Sequence, residues 1–145
     1  MAHSFYIIVV GCGRLGGILA SYLSGYGHRV VAIDNQANAF EKLSNEFSGF
    51  TILGDAVEPA VLREANSEDA DYLFATTSLD NVNLMVAQIA KSIYDVPKVV
   101  ARVFDPQREN IYAEFGIETI SPVELSAEAF IATCGDLASG GGKIC

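Results

Sequence analysis

The segment Gly11-Cys12-Gly13-Arg14-Leu15-Gly16 follows an unbroken apolar run, residues 5–10, and precedes a stretch with apolar residues at helical spacing. This order of strand, glycine turn and helix constrains the chain more than any other feature. A β-branched and aromatic run without polar alternation is the pattern of a strand buried on both faces, as in parallel sheets covered by helices. The three glycines then have separate uses. Gly11 permits a tight turn, Gly13 lets the backbone approach a pyrophosphate, and Gly16 lets helix and sheet pack closely. A helix that opens there presents unpaired N–H groups and a partial positive charge to an anion.

The rest of the chain repeats the alternation. Strands are expected at residues 5–10, 29–33, 50–53, 71–75, 98–103 and 117–120. Helices are expected at 17–25, 37–46, 58–65, 81–94, 106–115 and 122–134. Six strands separated by helices imply right-handed crossovers, and so a single α/β domain: a Rossmann-type, doubly wound, six-stranded parallel sheet. The glycine-rich segment from 135 to 145 reads as a flexible tail.

Charge and cysteine usage exclude several classes. The formal net charge is −9, and the nine Lys and Arg residues are scattered singly. Such a surface repels nucleic acid and anionic lipid. Cys12, Cys134 and Cys145 form no CxxC pair, and neither His3 nor His28 stands near a cysteine in a metal-ligand pattern. A disulfide framework and a metal site are therefore not expected, and a reducing, cytoplasmic setting is. The run 5–10 is too short for a signal peptide core, and no stretch approaches the length of a membrane span.

An anionic ligand must then be held by backbone N–H groups and a few placed cations. Asp34 ends the second strand, 21 positions after Gly13. A carboxylate there accepts hydrogen bonds from the hydroxyls of an adenosine ribose and repels a 2′-phosphate; Asn35 follows it. Arg14 lies in the turn, within reach of a phosphate. Gly54, Asp55 and Ala56 follow the third strand at the same sheet edge; Asp55 either lines the adenine side of a cleft or caps the next helix. Thr76, Thr77 and Ser78 follow the fourth strand, with hydroxyls that face a ribose or phosphates. Asp80 is expected to cap the long helix. Arg102 is uncomfortable inside a buried strand and needs a phosphate, Asp105 or Glu124 as a partner.

Other motifs fail. Tyr94-x-x-x-Lys98 has the spacing of a dehydrogenase pair, but Pro97 interrupts it. Gly142-Lys143 lacks the remaining residues of a P-loop. Cys12 has no nearby base or second cysteine. With no nucleophile–base pair in view, catalysis is not expected. The remaining alternative is an NAD-dependent oxidoreductase or its cofactor-binding domain, although the chain leaves no room for a substrate domain.

Taken together, Val9-Val10-Gly11-Cys12-Gly13-Arg14-Leu15-Gly16, Val31-Ala32-Ile33-Asp34, Gly54-Asp55-Ala56, Ala70-Asp71, Asn81 with Asn83, and Val100-Ala101-Arg102-Val103 with Asp105-Pro106 resemble the nucleotide-binding RCK or KTN (TrkA-N) domain of Trk-type potassium-uptake regulators. The resemblance implies a domain over residues 1–134 that senses a ligand without turning it over. It implies NAD(H), ATP, ADP or AMP as the ligand. Gly11, Gly13, Arg14 and Gly16 would hold phosphates, Asp34 the adenosine ribose, Asp55 and Ala56 would border the adenine, and Arg102 would approach the phosphates; Leu15, Asn35, Gly54, Thr76 and Thr77 complete the cofactor-binding set. It further implies a membrane potassium transporter or channel subunit as partner. Assembly would be a homodimer, a larger ring, or a ring with a second RCK-type chain. The location would be peripheral to the inner face of the cell membrane, without insertion. Family members often continue into a second, smaller domain. This chain reads either as a short subunit that pairs with another chain or as a truncated piece.

Overall fold

The computed structural model describes residues 3–138. Six strands form one sheet: β1 (Tyr6–Val10), β2 (Arg29–Asp34), β3 (Phe50–Leu53), β4 (Tyr72–Ala75), β5 (Lys98–Arg102) and β6 (Glu118–Ile120). Every pairing is parallel, and the order is β3-β2-β1-β4-β5-β6. The chain runs outward from β1 to β3, crosses back over the sheet, and runs outward again from β4 to β6. That reversal leaves a crevice above β1 and β4, where ligands bind in sheets of this kind.

The helices are α1 (Arg14–Gly25), α2 (Pro59–Glu64), α3 (Asp80–Ser92), α4 (Glu109–Glu114), α5 (Pro122–Thr133) and α6 (Gly135–Ala138). Pro59 opens α2, where its missing N–H costs nothing. Gly27 and Gly116, at φ +96° and +73°, follow the ends of α1 and α4. α2, α3 and α4 cover one face of the sheet, with Leu62, Val86, Ala87, Ala90 and Tyr112 packed on Ile8, Ile33, Leu73 and Val99. Full burial of each large aliphatic side chain contributes about 1.5–3 kcal/mol.

The opposite face is only half clothed. Over β1 and β2 it is covered by α1 and the following segment, with Ala20, Ala39, Phe40 and Leu43 packed near Ile7, Val9 and Ala32. Beyond them Tyr72, Phe74 and Val100 are only half-buried, and Ile120 is exposed. These four share one face, as the registers Phe74↔Val100 and Arg102↔Ile120 require. α5 does not fold back onto them. It buries none of its residues and leaves Val123, Leu125 and Phe130 exposed.

One expected helix is different. Residues 37–46 form a short 3₁₀ segment, Ala37–Lys42, after which Leu43 is extended at φ −71°, ψ 136°. Two buried serines of α1 account for this. Ser21 Oγ accepts the Ser44 N–H at 3.0 Å, and Ser24 Oγ accepts the Ser48 N–H at 2.8 Å. They tie the backbone along α1 in a path that no helix follows, so tertiary bonds override local propensity. Phe40, Leu43 and Phe47 still pack inward. The helix expected at 106–115 likewise opens as a 3₁₀ turn, Pro106–Arg108, before α4. Of the expected tail, Gly135–Ala138 is helical; residues 139–145 lie outside those described.

Candidate functional site

A cleft of about 890 Å³ opens at the carboxyl edge of the sheet, within the size range of small-molecule sites. The glycine turn forms its floor. Gly11 sits at φ +95°, and its N–H donates to the Ile33 carbonyl at 2.7 Å. A Cβ here would be 2.8 Å from the Thr77 nitrogen. At Gly16 a Cβ would strike the Gly11 carbonyl oxygen and lie 2.7 Å from Thr76 Oγ1. Gly13 is the opposite case: a Cβ there would meet nothing within 4 Å. Gly11 and Gly16 are thus required by the protein's own packing, whereas the space beside Gly13 is open.

Gly13 is the residue before α1, with no side-chain cap and no acidic residue in the first turn. The first N–H groups of a helix lack intrahelical acceptors. Those groups are therefore uncapped at a point where Gly13 and Arg14 line the cleft. Leu15 and Gly16 do not line it; Gly16 lies beneath the turn.

Asp34 stands beside this helix end. Its Oδ2 accepts the Cys12 N–H at 2.7 Å and its Oδ1 accepts the Gln36 N–H at 2.9 Å. Each oxygen retains a second lone pair, so the carboxylate both braces the turn and can receive a hydroxyl. The Cys12 side chain is fully buried. Burial first, and the Asp34 charge second, push its thiol up to about 11, so it is inert at neutral pH.

Asn35, Gly54, Asp55 and Ala56 also line the cleft. Asp55 accepts the Val57 N–H at 3.1 Å in a local turn, while the residue that precedes α2 is Glu58. Its carboxylate is therefore a cleft wall and not a helix cap.

The β4 edge differs from expectation. Thr76 and Thr77 border the cleft, but their hydroxyls turn inward. Thr76 Oγ1 donates to the Val10 and Gly11 carbonyls at 3.0 and 2.9 Å. Thr77 Oγ1 lies 2.7 Å from Asn83 Oδ1 and donates to it, and it accepts the Leu79 N–H. Neither hydroxyl proton is free for a phosphate: that of Thr76 serves the carbonyls of the glycine turn, and that of Thr77 serves Asn83. Asp80 is also not the cap of α3: Leu79 precedes the helix, and Asp80 is its first residue. Its carboxylate instead accepts the Phe104 and Asp105 N–H groups, at 2.8 and 3.1 Å.

Arg102 has neither Asp105 nor Glu124 as a partner. Its guanidinium lies over the Phe104 ring, 4.3 Å from the centroid, and its Nε is buried without a hydrogen-bond partner. Among the described residues it makes no ion pair, and it lines the cleft. A buried unpaired donor of this kind carries a desolvation cost that an anion would relieve.

Sequence reasoning missed several lining residues. Gln36, Asn38 and Lys42 reach the cleft because the 3₁₀ path carries them there, and Val57, Leu79 and Val82 supply apolar wall. Arg14, Lys42 and Arg102 outnumber Asp34 and Asp55, so the cleft is locally cationic on an acidic protein. Among the described residues no group of three His, Cys, Asp or Glu is placed to hold a metal. No helix there is long and apolar enough to cross a membrane. Tyr94 packs against the core and Lys98 pairs with Glu118, so they form no joint site.

The family model of the TrkA-N domain matches residues 7–122. The Trk system potassium uptake protein TrkA of Streptomyces coelicolor is 36% identical over 126 residues, 87% of this chain and 56% of that protein. Its homolog in Methanothermobacter thermautotrophicus is 31% identical over 126 residues, 87% of this chain and 58% of that protein. The chain thus spans a little over half the length of these curated relatives, which are named for potassium uptake and not for an enzymatic reaction. Among solved structures, the TrkA-N domain of the inner membrane protein YbaL from Escherichia coli superposes with a TM-score of 0.80 at 19% identity, covering 92% of this chain and 98% of that one. The Shewanella denitrificans Kef CTD, in an AMP-bound form, gives 0.77 at 22% identity, covering 94% and 83%. The GsuK channel bound to NAD gives 0.67 at 18% identity, covering 81% and 21%. At these identities the structures establish the fold.

Proposed function

The chain belongs to the TrkA-N domain family, and from that premise we propose that it is the nucleotide-sensing part of a regulatory subunit of a potassium uptake or channel system. The ligand is NAD(H) or an adenine nucleotide (ATP, ADP or AMP), bound without turnover. The observation that carries this reading is the uncapped N-terminus of α1 at the floor of a cleft that is also lined by Arg102, whose Nε has no partner. Phosphates fit between these two positive ends, along the open side of Gly13, with the ribose at Asp34 and the base against Ala56 and Val57. The AMP and NAD held by the two ligand-bound structures of this fold support the ligand class.

A cytosolic sensor of this kind acts through its neighbours. The partner is a membrane potassium transporter or channel subunit, met from the cytoplasmic side. The chain joins further copies, or a second RCK-type chain, in a dimer or ring. The bare half-face of the sheet around Phe74 and Ile120 and the unpacked helix α5 are the surfaces suited to that contact.

Calorimetric titration with NAD, NADH, ATP, ADP, AMP and adenosine is the direct test. Saturable binding by the phosphate-bearing ligands, with no product formed, is expected. Steady NADH oxidation or ATP hydrolysis would overturn the sensor reading, and no binding by any of the six would overturn the nucleotide reading.

A further inference from the structure

Asn83 is fully buried in the first turn of α3, and its amide is saturated. Oδ1 accepts the Thr77 N–H at 2.9 Å and the Thr77 hydroxyl at 2.7 Å. Nδ2 donates to the Thr77 carbonyl at 3.1 Å and to the Arg102 carbonyl at 3.0 Å. All four hydrogen-bonding positions of the side chain are therefore used. Asparagine is a mediocre helix former, so a buried one in a helix is held there by its bonds.

The residues that it joins are the informative part. Thr77 lies just beyond β4 and Arg102 ends the neighbouring β5, and both line the cleft. The Asn83 amide fixes both sides of Thr77 and the backbone from which the Arg102 side chain springs. Beyond that backbone, Arg102 has only the Phe104 ring and no anionic partner among the described residues. Holding a long side chain such as arginine in one rotamer for an anion carries an entropic cost. Fixing its base narrows the choice before any ligand arrives.

We infer that Asn83 is a positioning residue: it clamps Thr77 to the Arg102 backbone and so sets how strongly the cleft reads the phosphate end of its ligand. This rests on the nucleotide reading above. Asn83 itself touches no ligand.

The test uses the full chain with ATP and adenosine as probes, and the quantity read is the ratio of their affinities. Asn83→Asp retains both acceptor bonds to Thr77 and loses both donors, to the Thr77 and Arg102 carbonyls; Asn83→Ala loses all four. In both variants the ATP-to-adenosine ratio is expected to fall about tenfold, while adenosine itself is held within about twofold of the parent. In an Arg102→Gln background the same substitutions are expected to leave the ratio unchanged, since the residue that they position is gone. If Asn83→Ala fails to fold, Asn83→Ser takes its place. A lowered melting temperature with an unmoved ratio, or equal losses with and without Arg102, would overturn the positioning role alone. A parent chain that binds neither probe would overturn the nucleotide reading together with it.

Discussion

Asp34 Oδ2 accepts the backbone N–H of Cys12 at 2.7 Å, so the residue that ends β2 holds the glycine turn that follows β1. The same carboxylate faces the cleft. Two duties on one side chain imply two separable consequences when it is removed. In Asp34→Ala every adenosine-containing ligand is expected to bind about 10- to 100-fold more weakly, the range for losing a hydrogen bond to a charged group. Stability falls as well, because the Cys12 and Gln36 N–H groups lose their acceptor. Calorimetry and thermal denaturation on the same preparation separate the two; unchanged nucleotide affinity would remove Asp34 from the ligand's surroundings.

Gly13 and Gly16 are expected to respond oppositely to one added methyl group. Gly16→Ala drives a carbon into the Gly11 carbonyl and costs about 1–3 kcal/mol, the range for overpacking. Gly13→Ala meets only open space, so its melting curve stays close to that of the parent. Its nucleotide affinity drops, because the methyl group occupies the path of the phosphates. A Gly13→Ala variant that binds normally would show that the phosphates lie elsewhere.

The Cys12 thiol gives a pH-dependent signature. Its pKa rises from 9.0 to about 11 through burial, with Asp34 adding to the effect. The unfolded chain releases this proton first, so the contribution to stability is intact below pH 9 and is lost as pH climbs from about 9 to about 11. At pH 8 a thiol reagent followed by peptide mapping is expected to modify the exposed Cys134 in the native protein and to reach Cys12 only after denaturant is added. Rapid native labelling at Cys12 would contradict this.

Phe130 is 78% exposed on a helix that buries none of its residues. If α5 and the bare sheet face meet in another copy, Phe130→Ser or Phe74→Ser shifts the protein toward monomer, with the far-ultraviolet dichroism preserved. Size-exclusion chromatography with light scattering reads the outcome. An unchanged mass in both variants would place the contact between copies on some other surface.

The strands and the glycine turn were legible because their determinants are local. The run Tyr6–Val10 reads as a doubly buried strand without knowledge of its neighbours, and the roles of Gly11 and Gly16 follow from backbone and Cβ geometry alone. Three features were not legible. The segment 37–46 has the apolar spacing of a helix, and only Ser21 and Ser24, about twenty residues earlier, divert it. Thr76 and Thr77 stand where ligand-facing hydroxyls belong, yet the glycine turn and Asn83 take their protons. Arg102 was expected to take a phosphate, Asp105 or Glu124 as its partner, and spacing could not choose among them; the nearby acids are spent, Asp80 on the Phe104 and Asp105 amides, and Asp105 on Gln107. In each case long-range pairing decides which bond a polar group makes, and one-dimensional spacing does not carry that information.

A sheet clothed on one side and half bare on the other gives this fold a stability that is not wholly its own. Anything that covers Tyr72, Phe74, Val100 and Ile120 binds the native state and not the unfolded one, and so raises the melting temperature by mass action. Where the cover is another copy of the chain, the unfolding transition moves upward as the sample is made more concentrated. In that case a melting point for this domain is a value tied to a stated protein concentration, and dilution alone loosens it.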